Sequence, residues 1–153
     1  MNLKEFRAYN KKEGTLIYDH ELWLPKPLEK LGHTAYPVHI TEEGIHYTLN
    51  CISNHYEDDW EEDAVARTGI EVMPFTNLWD HGQSRKKMYS NDLISFTRKG
   101  HSPLTQFCGR IILSEESGEW IVVDEKGQFI EKLAQVECPQ VIGNWFADAH
   151  LLS

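Results

Sequence analysis

Met88-Tyr89-Ser90-Asn91-Asp92-Leu93-Ile94 and, farther along the chain, Val141-Ile142-Gly143-Asn144 are the stretches whose reading decides the fold. The first reads as a turn feeding an apolar strand, and the second as a strand that closes the same sheet. Leu93 to Thr97, Phe107 to Leu113, Glu119 to Val123, Gln128 to Glu131 and Gln140 to Phe146 are strand candidates, with turns at Glu116 to Gly118 and Asp124 to Gly127. Short strands with turn signals about every 8–12 residues predict a mainly β fold, a small β-barrel.

Upstream, Phe6 to Tyr9 and Thr15 to Tyr18 flank a polar turn in which Gly14 can supply a positive φ, the pattern of a hairpin. Pro25, Pro27 and Pro37 predict a loop from Leu22 to Pro37, with a short turn around Leu28 to Leu31. Gly44 to Ile52 alternates with period 2 and reads as a strand, and Ile70 to Phe75 as another with Pro74 on an edge. The acidic run after Ile52 can start a short helix, capped by Asp58 or Asp59 and stopped by Gly69. The expected organisation is an N-terminal β-rich extension over 1–84 and the barrel over 85–153, with at most one or two short helices.

The 153 residues are 41% hydrophobic and 25% charged, enough for one core. No stretch reaches the roughly 20 apolar residues of a membrane helix, and Met1 to Arg7 lacks the apolar core of a signal peptide, so a cytoplasmic protein is expected. Cys51, Cys108 and Cys138 show no paired spacing and read as small buried hydrophobes in a reducing compartment.

A net charge of −9 weighs against generic nucleic-acid affinity, because such affinity comes from cations that neutralise phosphates. The charge is unevenly spread. Glu57, Asp58, Asp59, Glu61, Glu62 and Asp63 surround Trp60, whereas Arg85 to Arg110 carries six cations against Asp92 alone.

Four motifs, taken in order, resemble the YopX family of bacteriophage and prophage proteins. Phe6-Arg7-Ala8-Tyr9 with its polar turn is similar to the family's Phe, Arg, Ala, Trp opening. Met73-Pro74-Phe75-Thr76-Asn77-Leu78-Trp79-Asp80 is similar to its central motif, Met88 to Ile94 to its Ile, Tyr, Glu, Gly, Asp, Ile, Val segment, and Val141 to Asn144 to its closing Val, Ile, Gly, Asn. Asn77 and Asn91 stand where the family has Gly, and Asn is the non-glycine residue best suited to a left-handed backbone. Pro74 replaces a Gln and removes a donor. The stretch from Glu21 to Thr68 has no counterpart and is where this chain's own specificity is expected. The resemblance implies an SH3-like barrel with an N-terminal extension and a phage or prophage origin. It brings no catalytic residues.

Chemistry is sparse. His46, Cys51 and His55 are the tightest set of metal-ligand types, but His46 and Cys51 fall on opposite faces of a strand, so no metal or cofactor is expected. Asp80, His81 and Ser84 lack a nucleophile-elbow pattern, and Asp80 beside Gly82 reads as a turn former. The expected activity is therefore not enzymatic. Arg85, Lys86, Lys87 and Arg98 form a candidate rim for phosphates, against which few aromatics interleave for base stacking. Asp59, Trp60, Glu61 and Glu62 form a candidate interaction patch, with Trp60 either the buried side of a helix or an exposed anchor, and this patch packing onto the basic rim is a third reading. The expected partner is a host or phage protein. Self-association and nucleic-acid binding through the rim are the alternatives.

Overall fold

The computed structural model describes residues 5–19, 28–30, 33–50 and 65–152. Two compact units divide between Pro74 and Phe75.

In the first unit, β1 (Phe6–Asn10) and β2 (Thr15–Tyr18) form the expected antiparallel hairpin, with Gly14 at φ +67°. Asn10 Oδ1 accepts from the backbone N–H groups of Lys12 and Glu13 and its carbonyl from that of Gly14, while the Lys11 N–H donates to the Gly69 carbonyl. β3 (Leu28–Lys30), β4 (His33–Thr41), β5 (Gly44–Asn50) and β6 (Val65–Ala66) make an antiparallel sheet in that order. Two expectations change here. The predicted loop up to Pro37 is partly strand, because the ladder between β4 and β5 shifts register between Pro37 and His39, and a bulge accommodates a residue with no N–H. Val65 and Ala66 are strand rather than the end of a helix, since they pair with His46 and Ile45; the remainder of the acidic segment, 51–64, lies outside the described residues.

β7 (Ile70–Trp79) runs past Pro74, which stands at the last pair with β1, opposite Phe6, where a missing donor interrupts little of the ladder. Ala8, Ile17, Ile40 and Ile45 build this unit's core, with Phe6, Ile70 and Val72 packed against them. Asp19 Oδ1 accepts from the Ile40 N–H at 3.0 Å and ties the end of β2 to β4.

In the second unit, the end of β7 pairs with β8 (Lys87–Tyr89), and a register shift between Phe75 and Leu78 contains Asn77 at φ +67°. β9 (Asp92–Thr97), β10 (Phe107–Leu113), β11 (Trp120–Val123), β12 (Phe129–Lys132) and β13 (Glu137–Asn144) form a five-stranded sheet in the order β12-β11-β10-β9-β13. β9 to β12 are a meander; a 3-10 turn at Leu133–Gln135 then carries the chain to β13, which returns beside β9. The sheet is a curled half-barrel with β12 and β13 at its edges, consistent with the small β-rich fold expected.

One face of this sheet contributes Ile94, Phe96, Ile111 and Val122 to the core, which Met88 of β8 and Leu133 of the 3-10 turn complete. Burying each of the larger of these side chains stabilises by roughly 1.5–3 kcal/mol. Gly109 is required by the packing: a Cβ there would meet the Val122 side chain and lie 2.8 Å from the Val123 carbonyl oxygen.

Trp145 and Phe146 were expected to extend the last strand but begin a short helix, α1 (Trp145–Asp148). Asn144 is the cause. Its Oδ1 accepts from the N–H groups of Phe146 and Ala147 at 3.1 and 3.0 Å, and Asp148 Oδ2 accepts from the Asn144 N–H at 3.0 Å, a reciprocal cap that ends the strand. Gly143 makes room, because a Cβ would stand 2.6 Å from that Asp148 oxygen. Among the described residues no helix is long and apolar enough to cross a membrane.

Candidate binding surface

Asp80 follows β7 and is 2% exposed. A buried carboxylate is costly unless its lone pairs are used, and here they are. Oδ1 accepts from the backbone N–H groups of Lys86 at 2.7 Å and Gly82 at 3.2 Å, and Oδ2 accepts from Val141 N–H at 3.0 Å. The expected turn former thus also clips the β7–β8 turn to β13. His81 N–H donating to the Pro139 carbonyl at 2.7 Å reinforces the clip. Beside it lies an open polar cleft of about 400 Å³ lined by Asp80, Gln83, Ser84, Lys86 and Gln140, among others. No hydrogen bond among the described residues joins the Asp80 carboxylate to the His81 ring or the Ser84 hydroxyl.

The other side of this turn is apolar and cationic. Trp79 is 44% exposed and Leu78 36%. Phe75 meets Trp79 edge-on with ring centroids 5.8 Å apart and lies 5.5 Å from Tyr89. Lys87 Nζ sits 5.2 Å from the Phe75 ring centre and 5.3 Å from that of Trp79, where the ring quadrupoles attract a cation. Thr76 Oγ1–H donates to the Met88 carbonyl at 2.7 Å and accepts from Leu78 N–H at 3.2 Å, which fixes the bulge that turns Leu78 and Trp79 outward.

The four rim residues have unlike surroundings. Arg85 is exposed, at φ +46°, and Lys86 is exposed with its main chain held by Asp80. Lys87 is engaged by the aromatic pair. Arg98 packs its guanidinium 5.3 Å from the Phe107 ring and pairs with Glu131 at 3.6 Å. Aromatics therefore accompany the cations more closely than the sequence indicated, because they come from other strands. Asp59, Trp60, Glu61 and Glu62, with both readings of Trp60 and its packing onto the rim, lie outside the described residues.

His46 is cross-strand from His39 with the rings stacked 4.5 Å apart, and its Nε2 lies 2.6 Å from Thr41 Oγ1. Desolvation first, then the neighbouring His39, lowers its pKa. Cys51 and His55 lie outside the described residues, and among those described no three metal-ligand side chains converge. Cys108 and Cys138 are exposed rather than buried: Cys108 falls on the face of β10 opposite the core, and Cys138 sits in a register shift of β13 at φ +50°.

Arg110 is the residue whose role the sequence did not reveal. It lies on the same face of β10 as Cys108. Its Nε–H donates to Asn91 Oδ1 at 2.8 Å, and its guanidinium lies 4.3 Å from the centre of the Trp145 ring. Asn91, at φ +67°, also donates its N–H to the Ile111 carbonyl and accepts the Trp145 N–H, both at 2.8 Å. Burial lowers the Arg110 pKa below the usual arginine value. The only hint in the sequence was its place in the basic run.

No family model matches the chain, and no curated protein does. Solved structures do. The crystal structure of protein EF1440 from Enterococcus faecalis is similar over 100% of both chains, at 13% identity and a TM-score of 0.53. The crystal structure of protein yopX from Bacillus subtilis also aligns over 100% of both chains, at 14% identity and a TM-score of 0.49. The first likeness is one of fold.

Proposed function

We infer that the chain is a non-enzymatic protein-binding module, an SH3-like barrel with an N-terminal extension, acting in the bacterial cytoplasm as a phage or prophage accessory protein. The phage assignment rests on the four YopX-like motifs found in order. The SH3-like reading rests on the strand order of the second unit and on the 3-10 turn before its last strand. The observation that carries the binding role is the exposed Leu78–Trp79 pair beside the Lys87 cation and held outward by the Thr76 bulge. A large amphipathic ring on a rigid strand is the kind of group that dominates protein interfaces.

Quantitative affinity capture from host lysate tests this with the wild type, Trp79→Ala and the double reversal Arg85→Glu/Lys86→Glu. Loss of a specific protein with Trp79→Ala alone supports the reading. Identical recoveries from all three overturn it.

Nucleic-acid binding is the second reading, through Arg85, Lys86, Lys87 and Arg98. It is favoured by Arg85 and Lys86, which have no acidic partner among the described residues, next to an exposed tryptophan that a base can stack on. Salt-sensitive DNA or RNA binding that disappears in the double reversal would establish it; its absence at low salt removes it.

A further inference from the structure

We propose that Arg110 is an anchor for a single carboxylate of a protein partner, with Trp145 as the flat wall of the site. The inference goes beyond the Leu78–Trp79 surface and does not depend on it. A guanidinium carries five N–H donors, of which the Asn91 contact uses the one on Nε. The contact holds the group at Nε, and the Trp145 ring lies 4.3 Å from its central carbon, so the group is placed from two sides. Trp145 is itself held by its main-chain bond to Asn91 and by the cap that starts α1. What remains is the terminal fork of Nη1 and Nη2, which has no hydrogen-bond partner among the described residues and no atom sealed from solvent.

The contrast with the other cations of this unit is informative. Arg98 pairs with Glu131 and Lys132 with Glu119, but among the described residues no carboxylate pairs with Arg110. A half-buried, pre-oriented guanidinium with no counterion among the described residues has already lost part of its hydration, so an anion that meets the fork bidentately gains more than it would at a mobile surface arginine. The class of anion follows from what surrounds it. One planar fork against one aromatic wall matches one planar carboxylate, whereas a phosphodiester backbone calls for several cations and meets the field of a chain with net charge −9.

The test is a titration of the folded full chain, followed by NMR of the Arg110 Nε–H and the Trp145 indole N–H. The probes are acetate, a blocked tripeptide with a central glutamate, and inorganic phosphate, each against chloride at equal ionic strength. Saturable shifts of both signals with acetate and the peptide are expected. Arg110→Lys, which keeps the charge and loses the fork, is expected to weaken binding about tenfold. Asn91→Gly keeps the left-handed turn and removes only the amide that fixes Nε, and should weaken it about threefold with the fold intact. Unsaturable shifts in the wild type, or binding unchanged in both variants, overturn the site. Phosphate binding about tenfold tighter than acetate overturns the choice of carboxylate.

Discussion

Asn77 and Asn91 share the same left-handed φ of +67°, yet the turns they occupy are built to different ends. Around Asn91 the residue's own groups are committed across the fold: the main chain to Ile111 and Trp145, the side-chain oxygen to Arg110. Around Asn77 the strand bulges so that Leu78 and Trp79 face solvent, and the Asn77 side chain makes no hydrogen bond among the described residues. One backbone conformation thus serves as a junction in one place and as a display in the other. The φ value sets what residue is tolerated; the neighbours decide what the turn does.

The comparison is broken most severely at Gly143. A Cβ there collides with Asp148, which caps the helix bearing Trp145, so Gly143→Ala should dismantle the junction and destabilise by about 2–3 kcal/mol. Chemical denaturation measures this, and a loss under about 0.5 kcal/mol would mean the collision relaxes freely. Asn91→Ala comes next. It loses left-handed tolerance and the bond to Arg110, together about 2–3 kcal/mol, whereas Asn77→Ala should lose only the first, about 1 kcal/mol. Equal losses at the two positions would erase the distinction. Exchanging each for glycine sharpens it: Asn77→Gly is expected to be within about 0.5 kcal/mol of wild type, while Asn91→Gly keeps a measurable deficit.

The smallest effect is a control in the other unit. The folded-state pKa of His46 is lowered, so the native state binds its proton less readily than the unfolded chain. Its contribution to stability is therefore complete above the ordinary histidine value of about 6.5 and is lost as pH falls through the depressed folded value. Melting temperatures recorded from neutral to mildly acid pH should fall a little less for His46→Gln than for wild type. Parallel curves would remove His46 from the account.

Much of the architecture was legible because it is local. The hairpin of β1 and β2, the alternation of β5 and the span of β10 follow from side-chain period and turn residues. Asn77 and Asn91 were legible for a different reason: the resemblance sets them where relatives have Gly, and Asn is the residue that best replaces glycine at a positive φ. Pro37 misled because its effect on a strand depends on where the partner's register shifts, a property of two strands and not of one. Trp145 and Phe146 misled because an apolar pair after a strand looks like more strand; the cap from Asn144 was the decisive and shorter signal. The site was less legible than the fold. Lys87 with Phe75 and Arg110 with Trp145 are contacts between strands, or strand and helix, that adjacency in sequence does not report.

The clip at Asp80 also bears on how the second unit folds. Its bond to Val141 joins groups 61 positions apart, and closing a loop of that length costs on the order of 3–4 kcal/mol in chain entropy before the contact returns anything. The meander from β9 to β12 needs only short closures, so it is expected to assemble first, with β13 arriving late on a sheet already in place. A contact made after the rate-limiting barrier acts on escape from the native state and not on arrival. Asp80→Asn should then steepen the loss of native protein with time while leaving the refolding rate unchanged in stopped-flow mixing; slower refolding would place the clip in the nucleus instead. On this view the buried carboxylate sets how long the native state lasts.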